Sequence, residues 1–165
     1  MSLIPSPVKL TKSLSALVAT VLLATSSVVL AADDPTKVAQ TVGGVLRVVQ
    51  PSNGDPARLQ LNKKFIVGDD NLYMNIIGVY HVGSDDVAIV ESSCGGNGCP
   101  LNDNRFLTIS PKGNVAVSES FMAALGPENI TQDGAVIRVE FIDQDGRRKY
   151  TKRWVFANGK LSKSK

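Results

Sequence analysis

From residue 45 onward, apolar and polar residues alternate in short runs broken by Gly, Asn, Asp and Pro. That rhythm predicts strands, because successive side chains on a strand point to opposite faces. Residues 45–50 (VLRVVQ) read as a first strand, ended by PSNGDP. Residues 57–67 (ARLQLNKKFIV) follow, with Leu59 and Leu61 on one parity. GDDN (68–71) turns the chain into 72–82 (LYMNIIGVYHV). There the even positions Leu72, Met74, Ile76, Gly78, Tyr80 and Val82 are expected to face the core. The odd positions, among them Ile77, Val79 and His81, are expected to face outward. GSDD (83–86) predicts a hairpin into 87–92 (VAIVES), and 105–110 and 114–118 flank PKG as a second hairpin.

The last third has the clearest alternation. Ala135, Ile137, Val139 and Phe141 share one parity, with Val136, Arg138 and Glu140 on the other. DQDG (143–146) turns this strand into 147–157. There Tyr150, Trp154 and Phe156 share a parity with Arg148 and Lys152. NGKL (158–161) is a further tight turn. One segment breaks the β rhythm. SESFMAALGP (118–127) has Ser118 or Ser120 to cap a helix, Gly126 for its C-terminus and Pro127 to stop it. The expected fold is therefore all-β: a single antiparallel β-sandwich or small barrel of about eight strands, with one short helix near 118–125. Residues 45–161 make up the domain, 33–44 read as a flexible linker, and 162–165 as a basic tail.

The N-terminus changes the picture by supplying a compartment. Lys9 and Lys12 precede an apolar, small-residue run from Leu14 to Ala32, and no acid occurs before Asp33. Val29 and Ala31 occupy the −3 and −1 positions of a signal-peptidase pattern, so residues 1–32 read as a secretory signal cut near Ala31/Ala32. An uncleaved anchor is the competing reading. The mature chain would be periplasmic or secreted. Its charge is close to balanced, because the signal takes two of the 18 basic residues and leaves 16 against 15 acids. That gives no reason to expect nucleic acid as a partner. The charge is uneven all the same: residues 33–103 sum to −4 and residues 104–165 to +5. GRRKYTKRW (146–154) holds much of the excess. Arg147, Arg148, Lys149 and Arg153 are candidates for contact with an acidic protein or an anionic membrane or polysaccharide surface.

Little else looks chemical. Both cysteines lie in SSCGGNGCP (92–100). Fully extended, Cys94 to Cys99 would span ~17 Å, whereas a disulfide needs Cα atoms within roughly 4.4–6.8 Å. Gly95, Gly96, Asn97 and Gly98 are the residue types that let a chain double back so tightly. In an oxidising compartment a Cys94–Cys99 disulfide is the expected state. Its small ring would contribute only ~2 kcal/mol and would act by fixing the loop. A rigid loop of this kind can present Gly95–Gly98 backbone to a partner, which makes these four residues binding candidates. A redox pair would have two residues between the cysteines and a following helix, and zinc needs about four ligands.

His81, the only histidine, has Asp85 and Asp86 nearby, but no G-x-S-x-G elbow accompanies it. DQDG resembles the start of a calcium loop, yet Arg147, Arg148 and Lys149 follow where acceptors belong. Glu91, Glu119, Glu128 and Glu140 are available as carboxylates, and Glu140, on the polar parity beside Arg138, reads more simply as part of a cross-strand ion pair. No catalytic residue, cofactor or metal site is assigned.

Across GGNGCPLNDNRFLTISPKGNVAVSESF the chain resembles small exported Gram-negative proteins of unknown function. These carry a Gly-Gly-x-x-Cys-Pro segment followed by an aromatic-Leu-Thr strand. The resemblance rests on Gly95, Gly96, Cys99, Pro100, Arg105, Phe106, Leu107 and Thr108. It implies location and fold type rather than a reaction. The expected function is a non-enzymatic periplasmic accessory domain that recognises an envelope protein, acting as an inhibitor or immunity-type factor. The alternatives are a small envelope hydrolase using His81 and carboxylates, or a binder of anionic surfaces.

Overall fold

The computed structural model describes residues 28–30, 36–50, 54–68, 71–95, 101–123, 126–145 and 148–164. These form fourteen strands in three antiparallel sheets and no helix. The N-terminal sheet orders β2 (Val38–Thr41), β3 (Gly44–Val49), β4 (Arg58–Leu61) and β5 (Lys64–Gly68). The central sheet orders β10 (Phe121–Ala123), β8 (Asn102–Ile109), β7 (Asp85–Ser93) and β6 (Tyr73–Val82), and β9 (Val115–Val117) also pairs with β8. The C-terminal sheet orders β1 (Val28–Leu30), β11 (Pro127–Asp133), β12 (Val136–Asp145), β13 (Arg148–Ala157) and β14 (Lys160–Ser164). None of the three closes into a barrel.

The central sheet buries both of its faces, which makes three layers instead of one sandwich. Ala88, Val90, Leu107 and Ile109 pack with Leu46, Leu59 and Leu61 of the N-terminal sheet. Val87, Ile89, Phe106 and Phe121 pack with Ile130, Ile137, Val139, Phe141 and Phe156 of the C-terminal sheet. This explains why VAIV in β7 is a continuous apolar run: both parities face a core. The second core is largely aromatic. Phe106 stacks on Phe156 at 4.9 Å, and Phe121 meets Phe141 edge-on at 5.3 Å and Trp154 at 4.6 Å. Such pairs add about 0.5–1.5 kcal/mol each beyond the area they bury.

β6 departs from the expected alternation. Its register against β7 shifts between Ile76 and Gly78, so Ile77 is the extra residue of a bulge. Before the bulge, Met74 and Ile76 face the N-terminal sheet. After it, Tyr80 and Val82 face the C-terminal sheet, and Ile77, expected outside, is buried.

The expected helix is a correction. Phe121 and Ala123 are buried and Met122 is exposed, a period of two, and β10 pairs with β8. Ser118 caps no helix: its hydroxyl accepts the Phe106 N–H at 3.0 Å, and its own N–H donates to Phe106 O. Burial of Phe121 among three aromatic rings outweighs the local helix propensity of Met and Ala. Residues 57–67 also divide, at a two-residue turn with positive φ at Asn62 (49°) and Lys63 (69°). Within the segment read as a linker, residues 38–41 form β2, and most of the basic tail belongs to β14.

Specific joints hold the layers in place. Asn62 donates to Gly43 O at 2.8 Å and accepts from Val45 N at 2.9 Å. A Cβ on Gly44 would fall 2.1 Å from the Asn62 side chain, and one on Gly43 would fall 2.6 Å from Ser110 O. The Gly43–Gly44 pair is therefore required by close approach of the β2–β3 turn to both neighbouring hairpins. Buried Asp86 accepts the Val42 N–H at 2.7 Å and links the same turn to the central sheet.

Candidate functional site

Register and ring contacts bring several connections to one end of the central and C-terminal sheets. Ser92 pairs with Asp103, so β7 leaves and β8 enters at this end, carrying Cys94 and Gly95 between them. Tyr73 opens β6 opposite Ser93. Gly126, just before β11, lies beside Glu91: a Cβ there would fall 3.6 Å from Glu91 Oε2. Phe121, opposite Asn104, contacts Phe141. The β12–β13 hairpin continues beyond Phe141 to Asp143 and Tyr150, which pair with each other.

Gly95 has φ +75°, and a Cβ there would fall 1.9 Å from the Tyr73 ring. The Gly95 backbone thus lies directly on Tyr73, whose side chain is still half-exposed (49%). On the hairpin, Asp143 is 2% exposed. Its carboxylate accepts the Tyr150 hydroxyl at 3.1 Å and is paired with the Lys152 ammonium. Hydrogen bonding to Asp143 holds the Lys152 pKa above its ordinary 10.5, against the opposing effect of burial. The ammonium also stands 5.6 Å from the Tyr150 ring centroid. Deeper in, Glu91 and Asn104 face each other across β7 and β8. Glu91 Oε2 and Asn104 Oδ1 are both buried and have no hydrogen-bond partner among the described residues.

The predicted binding residues divide between this end and elsewhere. Gly95 is here, and so is Lys149, exposed beside Tyr150. Arg148 begins β13. Arg153 shares the hairpin but faces the opposite side, where it donates to Glu140 at 2.6 Å. That pairing lowers the Glu140 pKa below its ordinary 4.5. Glu140 therefore makes a cross-strand ion pair, with Arg153 standing directly opposite it, while Arg138 lies 4.0 Å from Asp133. Gly96, Asn97, Gly98, Cys99 and Arg147 lie outside the described residues, whereas Cys94 is described and is not free.

The hydrolase candidates do not converge. His81 sits at the opposite end, with Nδ1 2.9 Å from Asp86 Oδ1. This is a base with an orienter, but among the described residues no hydroxyl or thiol is bonded to the imidazole. The nearest serine in sequence, Ser84, donates to Asp85. Glu119 and Glu128 are exposed and Glu140 is on the outer face, which leaves Glu91 alone facing inward. Among the described residues no three His, Cys, Asp or Glu side chains are grouped to hold a metal.

Sequence reasoning missed Tyr73, Met122, Asp143, Tyr150 and Lys152. Met122 is 58% and Tyr150 44% exposed, and both stand at this same end. Parity already set Tyr150 and Lys152 with Trp154 and Phe156, and the signal left unused was Asp143, which continues the series Ile137, Val139, Phe141. No protein family, curated protein or solved structure matches the chain.

Proposed function

We propose that this chain is a non-enzymatic periplasmic or secreted domain that recognises a protein of the cell envelope through the end bearing Cys94 and Gly95. The observation carrying this reading is the company the loop keeps. At this end Tyr73 and Tyr150 leave large apolar surfaces in water, Met122 does so on the other face of the central sheet, and Lys149 is exposed beside Tyr150. Tyrosines that combine an apolar ring with a polar tip are enriched at protein interfaces, and Met adapts to irregular partner surfaces. A Cys94–Cys99 disulfide would fix the loop against the Tyr73 ring, so that little ordering entropy is lost on binding. An inhibitor or immunity-type factor uses a surface of this kind.

Affinity capture from envelope extracts tests the proposal, comparing the wild-type chain with Tyr73→Ser/Tyr150→Ser and with Cys94→Ala/Cys99→Ala. The wild type is expected to retain a specific protein that the tyrosine variant loses. Recovery of no specific protein by any form, or equal recovery by all, would count against it.

A further inference from the structure

We propose that the groove between the β4–β5 hairpin and the β8–β9 hairpin binds a single-chain anionic amphiphile, an acyl chain ending in a carboxylate or phosphate. This site is distinct from the loop end, because the turn joining β8 to β9 leaves β8 at its far end from Asn102.

Three observations carry the inference. The half-open groove holds about 550 Å³, within the range of small-molecule sites. Its lining mixes polar groups with the apolar side chains of Phe65, Ile66, Val115 and Val117, of which Phe65 is 55% and Val117 42% exposed. Its only charged lining residues are Lys64 and Lys112, and neither has an ion-pair or hydrogen-bond partner among the described residues. Two free ammonium groups beside an apolar surface complement a molecule with an apolar body and an anionic head. A neutral apolar ligand would make no use of either cation, whereas an anionic head gains charge-assisted contacts.

The groove is also preformed. Asn62 at the tip of the β4–β5 hairpin is bonded to the β2–β3 turn. That turn in turn lies against Ser110 and Gly113 of the β8–β9 connection. The two walls are therefore held at a fixed separation before any ligand arrives, which lowers the ordering cost of binding.

The test uses the full chain with laurate, dodecyl phosphate and dodecyl maltoside, each below its micelle concentration, and titration calorimetry as the readout. Laurate and dodecyl phosphate are expected to bind one per chain and tighter than the maltoside. Lys64→Gln/Lys112→Gln is expected to weaken both anions about tenfold or more and leave the maltoside unchanged, since charge-assisted contacts are the ones removed. Val117→Asp, at an exposed edge position, should abolish binding of the anions without unfolding the chain, and Lys160→Gln on the C-terminal sheet should leave anion binding unchanged. Anion binding indifferent to the lysine substitutions would overturn the proposal. So would equal affinity for all three amphiphiles, or binding seen only with anionic vesicles and never with the monomeric ligands.

Discussion

Replacing Asp143 and Lys152 singly and together tests how the loop end is held. Asp143 is almost completely buried and its carboxylate takes both the Lys152 ammonium and the Tyr150 hydroxyl. Lys152→Met keeps the apolar stem but strands the carboxylate with only part of its shell, which should cost about 3–5 kcal/mol. Asp143→Leu removes the carboxylate. The Lys152 side chain retains 21% exposure, so its ammonium can move toward water, and the loss should be smaller, about 2–4 kcal/mol. The double variant removes both charges and should lie within about 2 kcal/mol of wild type, because an apolar pair of similar volume suits this face as well as an ion pair does. Urea unfolding of the four forms yields the cycle, and the expected coupling is about 3 kcal/mol or more. In a chain of this size each kcal/mol moves Tm by roughly 2–4 °C, so the singles are expected to melt about 4–20 °C below wild type. The pH dependence has a definite sign. The Lys152 pKa is raised in the fold, so the stabilisation is complete below its ordinary 10.5 and is lost as pH rises through the raised value. Coupling should therefore be unchanged between about pH 7 and 9 and vanish in stronger alkali. Singles that add to the double within about 0.5 kcal/mol would refute the buried pair.

Three other substitutions or cuts have definite expected outcomes. Gly43→Ala puts a Cβ 2.6 Å from Ser110 O and 2.7 Å from Ile109 Cγ2, and should destabilise by about 1–3 kcal/mol in urea unfolding, since the N-terminal sheet must shift outward. Arg153→Gln should raise the Glu140 pKa toward 4.5 in a carboxyl NMR titration and cost under about 1 kcal/mol, because the pair is partly exposed. The sign is opposite to that of Lys152: this small contribution is present above pH 4.5 and lost as pH falls through the lowered Glu140 value. Cleavage after Ala31 or Ala32 would remove β1 and leave β11 as an edge, so amide exchange at Ile130–Gln132 should be faster in the chain beginning at Asp33 than in the full-length chain.

What the sequence made legible follows from which surfaces each strand buries. β12 lies in an outer layer, with Ile137, Val139 and Phe141 inward and Arg138 outward, so its alternation is plain. β7 lies in the middle layer and carries apolar residues on both faces, so its pattern signals a strand but not the number of layers. Period-two reasoning assumes one face per parity, and a single inserted residue at Ile77 exchanges the two. The turn at Asn62–Lys63 was hidden because it places a lysine, instead of the usual glycine, in the left-handed region. The apparent helix at 118–125 satisfied every local rule and failed because the central sheet had an edge on β8 and an aromatic core needing Phe121. Polar residues on an inward parity, such as Lys152 beside Trp154, read as an imperfect strand until the hairpin register supplies Asp143.

The two proposed sites share one structural element, and its character decides whether they communicate. β8 starts at the loop end with Asn102 and finishes at Ile109, next to the turn that borders the groove. Between these points Phe106 is packed into one core and Leu107 into the other, both without solvent exposure. A strand fixed on both faces has one arrangement, and coupling between distant sites requires an element with two that each ligand biases differently. Amphiphile and protein partner should therefore bind independently. Laurate at saturation should leave recovery of the partner by affinity capture unchanged, and Lys64→Gln/Lys112→Gln should capture it as well as wild type does. A change in either measurement would require a second packing of β8 between its two cores, visible as a shift of the Phe106 and Leu107 side-chain resonances on adding laurate.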